Sequence, residues 1–177
     1  MEYVNCILCN SKDSFRDFKT VKDRFDSNKY ELLKCACGLI MLNPRPKLDE
    51  IAKHYNYSEY SPHYKKSNTL GFLYKIAQKI NNFSKLITIR NFYKGSKKKI
   101  LDYGGGDGQF CKYMNRKGWK TCIYEPLLEN MIDGVEKVNL NHKNKFNVIT
   151  MFHSLEHIHK VDDAFKSIER FLDSDGI

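Results

Sequence analysis

The strongest chemical signal in this chain is a glycine-rich run that follows an apolar stretch and an acid, Ile100–Gly108 with the sequence ILDYGGGDG. Glycine lacks a Cβ, so this backbone can turn sharply and approach a ligand closely, while the helix that follows offers unpaired N–H groups. The pattern is typical of a loop that seats a nucleoside cofactor. A dinucleotide fingerprint is excluded because its third glycine would fall on Gln109, and a P-loop is excluded because no Gly-Lys-Ser/Thr follows.

Two closely spaced pairs of cysteines lie in the amino-terminal part, Cys6 with Cys9 and Cys35 with Cys37. The amino-terminal sequence lacks the apolar segment of a secretory signal, so a disulfide framework is not expected. Four thiolates on two tight turns suit a closed, structural, tetrahedral zinc site. The second pair is one residue shorter than the usual C-x-x-C turn. Four reduced cysteines without metal are the alternative.

A third pattern, His153-Ser154-Leu155-Glu156-His157, matches H-x-x-E-H, the inverted zinc-protease signature. That signature requires a helix that places both histidines on one face, together with a distant third ligand. Here the five residues directly follow a predicted buried strand, where a loop is expected. The sequence therefore does not favour a protease.

Together with their neighbours, these residues resemble the class I S-adenosylmethionine-dependent methyltransferases, whose motifs recur here in the same order. The glycine loop reads D-x-G-x-G-x-G from Asp102, and a second strand at 120–124 ends at the acid Glu125. A later strand at 146–151 leads into the segment HSLEHI, followed by a helix and a turn at Gly176. The resemblance therefore covers the carboxyl-terminal half of the chain.

The resemblance implies a role for each matching residue. Glu125 would accept hydrogen bonds from the ribose hydroxyls of S-adenosylmethionine, and Phe152 and His153 would flank the adenine ring. His157 and Glu156 would lie where a methyl acceptor approaches, either as catalytic proton acceptors or only as residues that cap and orient the next helix. The residues implied to bind the cofactor are Asp102, Tyr103, Gly104, Gly105, Gly106, Gly108, Glu125, Phe152 and His153.

One branch of the same family carries an amino-terminal zinc-ribbon-like module, and Cys35–Pro46 resembles the second turn of that module and the exit from it. The likeness continues through a short helix at 47–55 and a tyrosine-rich stretch at 55–60. It implies a structural Zn²⁺ and a small-molecule or sugar-type acceptor, because members of that branch often modify sugar nucleotides and surface polysaccharides. Tyr60 or Tyr64 would close over the bound ligands or pack between domains.

We therefore expect an S-adenosylmethionine-dependent methyltransferase that transfers a methyl group in line to an O, N or C atom. The alternative is a non-catalytic zinc-ribbon binding protein in which a degenerate cofactor domain is only a scaffold. Cofactor binding discriminates between the two.

The composition limits the classes of partner. At 177 residues, with 41% hydrophobic and 13% aromatic residues, the chain can bury a core. No apolar run approaches the roughly 20 residues that span a bilayer, so we expect a cytoplasmic protein without a membrane span. The net charge of +9 comes from 24 Lys and 6 Arg scattered along the chain, which does not favour a nucleic-acid partner.

Periodicity predicts the elements that must position these residues. Apolar residues recur at three- and four-residue spacing between Leu70 and Tyr93, which predicts an amphipathic helix that packs over the sheet or, alternatively, lies on a membrane surface. This predicted face consists of Leu73, Ile76, Ala77, Ile80, Phe83 and Ile87. The other predicted elements are strands at 29–35, 38–42, 100–103, 119–124, 136–140 and 146–151, and helices at 47–55, 109–117, 126–133 and 161–172.

The predicted fold class is α/β, with a Rossmann-like parallel sheet, incomplete at about four strands, preceded by a small zinc ribbon and a linker helix. The predicted domains are a zinc-ribbon-like module at 1–46, a helical linker at 47–95 and a partial S-adenosylmethionine-binding domain at 96–177. The family builds a fifth strand after Gly176, so strands 5 to 7 are expected to be absent and transfer by the chain alone to be weak. The strand at 146–151 would then expose an unpaired edge that invites a partner chain.

Overall fold

The computed structural model of this chain describes residues 1–23, 27–50, 68–126 and 132–177. The chain divides into two compact units, Met1–Lys65 and Lys66–Ile177. Three predictions lie wholly or largely outside the described residues: the helix at 47–55, the roles of Tyr60 and Tyr64, and the helix at 126–133. Among the described residues, none of the helices combines the length and the apolar character that crossing a membrane requires.

The amino-terminal unit contains a three-stranded antiparallel sheet in the order β1-β2-β3. Its strands are β1 (Phe15–Lys22), β2 (Lys29–Cys35) and β3 (Ile40–Leu42). The central strand β2 agrees with the sequence prediction, and β3 is shorter than predicted. The sequence pattern does not predict β1, because most of its side chains are exposed and an edge strand of this kind has no buried alternating face.

The carboxyl-terminal unit is built on a four-stranded parallel sheet in the order β6-β5-β4-β7. Its strands are β4 (Lys99–Tyr103), β5 (Lys120–Tyr124), β6 (Val135–Lys137) and β7 (Val148–Thr150). Its helices are α1 (Asn68–Phe92), α2 (Gln109–Arg116) and α3 (Val161–Phe171). The chain first moves from β4 to one side and then returns to the other side at β7. In such sheets the ligand crevice opens at the carboxyl ends of the strands where the order reverses.

The α/β fold class that the sequence predicts is therefore confirmed. Apolar side chains cover both faces of the parallel sheet, and alternate residues of β4 point to opposite sides. Ile100 belongs to a cluster with α1 and α2 that consists of Leu86, Ile89, Tyr93, Ile100, Phe110, Met114, Trp119 and Val148. Leu101 belongs to a cluster with α3 that consists of Leu101, Tyr103, Cys122, Val138, Phe146, Ala164 and Phe171. Because both faces are covered, the four residues of β4 from Ile100 to Tyr103 are all buried.

The buried face of α1 differs from the predicted one. The predicted apolar residues Leu73, Ile76, Ala77, Ile80, Phe83 and Ile87 are all exposed. The helix instead buries Leu86 and Ile89, with Tyr93 directly after its last residue, and the relative exposures of the three are 1%, 4% and 7%. Both sets recur at helical spacing, so the sequence alone marks two apolar stripes, and only packing against Ile100 and Val148 decides between them.

The outer edge of β7 is partly paired by the last residues of the chain. The N–H of Phe146 donates to the carbonyl of Phe171 at 2.8 Å, and the N–H of Ile149 donates to the carbonyl of Ile177 at 2.9 Å. Ile177 in turn donates to the carbonyl of Asn147 at 3.0 Å. The prediction of an unpaired edge is therefore wrong for the N–H groups of Phe146 and Ile149 and for the carbonyl of Asn147. β7 spans Val148–Thr150 and is shorter than the strand predicted at 146–151.

Candidate functional site

The four amino-terminal cysteines form a compact cluster. The Sγ atoms of Cys6, Cys9, Cys35 and Cys37 all lie within 4.8 Å of one another. Cys6 and Cys37 are 3.6 Å apart at Sγ, and so are Cys9 and Cys35. Bonds of about 2.3 Å from a tetrahedral Zn²⁺ to four sulfurs would hold neighbouring sulfurs at about this separation. The donor set and its spacing therefore fit a structural zinc ion.

The two cysteine pairs sit on turns of the same design. In each, the residue directly after the second cysteine has a positive φ, 57° at Asn10 and 97° at Gly38. That residue donates its N–H to the carbonyl of the first cysteine, from Asn10 to Cys6 at 2.8 Å and from Gly38 to Cys35 at 2.9 Å. The shorter second pair therefore closes a tighter turn and still presents both of its sulfurs to the cluster.

The environment of these thiols differs within the cluster. Burial raises the pKa of Cys6, but hydrogen bonds from the backbone of Cys9 and Leu8 and from neighbouring thiols together lower it to about 6. The backbone N–H of Cys37 lowers the pKa of Cys35, while burial and the three other thiols raise it to about 12. Four thiolates at this distance repel one another, and a divalent cation among them removes that repulsion.

The second site surrounds the glycine loop between β4 and α2, at the carboxyl edge of the parallel sheet. Three hydrogen bonds hold this loop to its neighbours. The N–H of Gly104 donates to the carbonyl of Tyr124 at 2.7 Å, and the N–H of Gly106 donates to Oε2 of Glu125 at 3.0 Å. The hydroxyl of Ser154 donates to the carbonyl of Tyr103 at 2.8 Å. The loop therefore lies against the ends of both β5 and β7.

The glycines of the loop meet different surroundings. A Cβ on Gly105 would lie 2.7 Å from Oδ2 of Asp102 and 2.8 Å from Cδ1 of Ile123, and a Cβ on Gly104 would collide with Ser154. A Cβ on Gly106 would meet no described atom within 4 Å, although the φ of +55° there disfavours any side chain. Gly106 is therefore the position where the backbone faces open space, which leaves room for a bound ligand.

Asp102 lies beneath this loop rather than on its surface. It is 4% exposed, and its Oδ1 accepts a hydrogen bond from the hydroxyl of Thr150 at 2.7 Å. Burial raises the pKa of Asp102 to about 6, although the hydrogen bond from Thr150 and the charge of Lys85 lower it. The tertiary structure thus makes Asp102 a support for the loop, with a proton affinity well above that of an exposed aspartate.

The segment after β7 brings the remaining predicted residues to the same edge of the sheet. Phe152 packs edge-on against Phe110, with ring centroids 5.5 Å apart. His153 has a φ of 58° and an exposed side chain, and its Nδ1 is 3.9 Å from Oε1 of Glu156. Glu156 and His157 are exposed on a single 3-10 turn, and the cap position of α3 is occupied by Lys160.

The protease alternative finds no support in this geometry. His153 and His157 do not share a helical face, because only Leu155–His157 form a 3-10 turn and His153 precedes it in a left-handed conformation. Within the described parts of the chain, the four cysteines are the one group of three or more potential ligands whose donor atoms meet. The match of these residues to the zinc-protease signature is therefore coincidental.

Three residues of this site were not identified from the sequence: Thr150, Ser154 and Lys85. Thr150 and Ser154 are small polar residues that touch β4 and the glycine loop only after the sheet is assembled. Lys85 projects from α1, and its Nζ lies 4.5 Å from the ring centroid of Phe152. No local pattern distinguishes it from the other lysines of α1.

An apolar groove of about 450 Å³ also lies between α1 and α2. Its lining includes Ile80, Phe83 and Tyr113, with Lys79, Arg116 and Lys117 also contributing. It shares no residue with the glycine loop, so we do not assign it to the cofactor site.

Comparison with known proteins identifies the family. A family model described as a methyltransferase domain matches residues 72–177, more than half of the chain. Among solved structures, the chain is similar to the plantazolicin methyltransferase BpumL, crystallised with a triazolic desmethylPZN analog and SAH, at a TM-score of 0.41 and 15% identity over 52% of this chain. The chain spans 40% of the length of that protein, and no curated protein matches the sequence. Because the family model covers the glycine loop, the parallel sheet and the segment after β7, the chain belongs to the methyltransferase domain family.

Proposed function

We propose that this chain is a class I methyltransferase that binds S-adenosylmethionine at the glycine loop and transfers its methyl group to a small-molecule or sugar-type acceptor. The observation that carries the proposal is the hydrogen bond of 3.0 Å between the Gly106 N–H and Glu125. It sets an acidic side chain from the end of β5 beside the open glycine of the loop, where a ribose needs an acceptor for its hydroxyls.

The bound cofactor supplies a methyl group that is already activated on a sulfonium. The work of the chain is then to position the two reactants, which can account for much of the rate. Glu125 would accept hydrogen bonds from the ribose, and Gly106 would allow close backbone approach. His157 and Glu156, both exposed on the turn after β7, would face the acceptor, where either could accept a proton as the methyl group is transferred.

Calorimetric binding of S-adenosylhomocysteine, the demethylated product, tests this proposal without knowledge of the acceptor. We expect binding by the full chain, weakened by about 1–3 kcal/mol in Glu125→Ala because the ribose hydroxyls lose a charged acceptor. Glu169→Ala, on the outer part of α3, is the matched control and should bind as the wild type does. A chain that binds no S-adenosylhomocysteine would favour the non-catalytic scaffold.

We also propose that Cys6, Cys9, Cys35 and Cys37 hold one structural Zn²⁺. The support is the cluster of four sulfurs within 4.8 Å and the two matching turns that present them. Native mass spectrometry should find about one zinc per chain, and Cys35→Ser should release it. Cys111→Ser removes a cysteine outside the cluster and should retain the metal. Zinc-free wild-type protein with an intact amino-terminal unit would contradict the proposal.

A further inference from the structure

Lys85 occupies an unusual position for a lysine on the surface of a helix. It is half-buried, and its ammonium lies 4.5 Å from the ring centroid of Phe152 and 5.2 Å from that of Phe110. Phe110 stands in the first turn of α2, directly after the glycine loop, and Phe152 directly follows β7. The two rings therefore place the ammonium at the carboxyl edge of the sheet, next to the loop.

The carboxylates that act on Lys85 also lie at the glycine loop. Burial lowers its pKa, whereas the carboxylates of Asp102 and Asp107, which precede and belong to the loop, raise it. Neither carboxylate forms an ion pair with it, and no described residue accepts a hydrogen bond from its Nζ. An ammonium carries three donors, and this one, half exposed beside the glycine loop, can donate to the acceptor of a bound ligand.

The sheet order separates Lys85 from Glu125. Glu125 follows β5, on one side of β4, while Phe152, the ring nearer to the ammonium of Lys85, follows β7, on the other side. S-Adenosylmethionine has a nucleoside at one end and an amino acid, with a free carboxylate, at the other. A ribose beside Glu125 leaves the amino-acid end to extend across the loop toward the side where the ammonium lies.

We propose that Lys85 binds the carboxylate at the amino-acid end of S-adenosylmethionine, an inference that rests on the proposed function. The carboxylate supplies the acceptor that the ammonium lacks, in a partly dry setting where charge-assisted hydrogen bonds are strong. Phe152 would then contact the amino-acid end of the cofactor, instead of the adenine ring that the family resemblance implies. The adenine would lie toward β5 and β6.

Two ligands that differ only in the carboxylate test the assignment: S-adenosylmethionine and decarboxylated S-adenosylmethionine. By calorimetry, Lys85→Gln should weaken binding of the first by at least about tenfold and change that of the second by less than about twofold. Lys85→Arg keeps the charge and should keep most of the affinity. Lys75→Gln, an exposed lysine on the same helix, is the control and should change neither.

The outcomes distinguish a failure of the Lys85 assignment from a failure of the proposed methyltransferase function. Equal weakening of both ligands in Lys85→Gln would show a role in packing the two rings, and unchanged affinity for both would show no role, so either result overturns the assignment. Wild-type protein that binds neither ligand would refute the proposed function, and this inference with it. Melting curves of each variant exclude loss of folding as the cause.

Discussion

The glycines of the loop have different roles, because a Cβ added at each of them would meet different surroundings. Gly104 and Gly105 make room for side chains of the protein itself, Ser154 at the first and Asp102 and Ile123 at the second. At Gly106 a Cβ would meet no atom of the described chain within 4 Å, so the space there is open. A substitution at Gly106 should therefore affect a ligand more than it affects packing.

We predict that Gly106→Val abolishes binding of S-adenosylhomocysteine, because the branched side chain fills the space above the loop. The matched control is Gly118→Val after α2, where the φ is also positive, at +80°, and the space is also open. Both variants strain the backbone to a similar extent. Loss of binding in both, or in neither, measured by calorimetry, would show that Gly106 does not line the cofactor pocket.

Asp102 links the stability of the fold to pH. Its pKa is raised in the folded state, chiefly by burial, from 3.8 to about 6. The folded state therefore holds this proton more tightly than the unfolded state does, and its contribution to stability is lost as the pH rises through the folded pKa.

We therefore predict that Asp102→Asn increases the free energy of unfolding at pH 7.5 by up to about 3 kcal/mol. Asparagine keeps the acceptor for Thr150 and removes the buried charge. The gain should shrink from pH 6 to pH 4, as seen in urea unfolding curves of both proteins. An equal difference between the two proteins across this pH range would show that the carboxylate of Asp102 does not titrate as described.

At the scale of elements, α1 carries two apolar stripes and buries one of them. Leu86, at 1% exposure, lies in the core with Ile100 and Val148, whereas Ile80, at 63%, faces outward. Both are aliphatic residues of one helix, so they form a matched pair for measuring burial.

We predict that Leu86→Ala lowers the free energy of unfolding by about 2–5 kcal/mol, because it leaves a cavity under the helix. Ile80→Ala should change it by less than about 0.5 kcal/mol, as expected of an exposed site. Chemical denaturation of the two variants gives the comparison. Similar losses for both would mean that the second stripe is also covered in solution.

At the scale of the whole molecule, the chain combines two compact units with different sources of stability. The unit Met1–Lys65 is small and gathers four cysteines, while Lys66–Ile177 has apolar clusters on both faces of its sheet. Among its described residues only Cys6, Cys35 and Asn43 are buried, so a bound metal would contribute much of the stability of this unit.

We predict that a zinc chelator unfolds the first unit and leaves the second intact. Circular dichroism and limited proteolysis should show loss of protection in the amino-terminal unit only, with the affinity for S-adenosylhomocysteine unchanged. The same treatment of Cys35→Ser should have no further effect. Cooperative unfolding of the entire chain on chelation would contradict the independence of the two units.

Several features of the fold and the candidate site could be read from the sequence because they depend on residues that are close along the chain. The cysteine spacing predicts two turns, and β2, α2 and β5 lie where their local patterns predict. The glycine loop is predicted because the strand, turn and helix that form it are contiguous. In each case the signal and the structure span the same few residues.

Only the tertiary structure decided the contacts between distant segments. Thr150 is 48 residues from Asp102, and they meet because β7 pairs with β4. The choice between the stripes of α1, the burial of Lys85 against two phenyl rings and the partial pairing of the β7 edge likewise depend on assembled neighbours. Local periodicity shows that a face is apolar, but the packing of the whole chain decides what that face contacts.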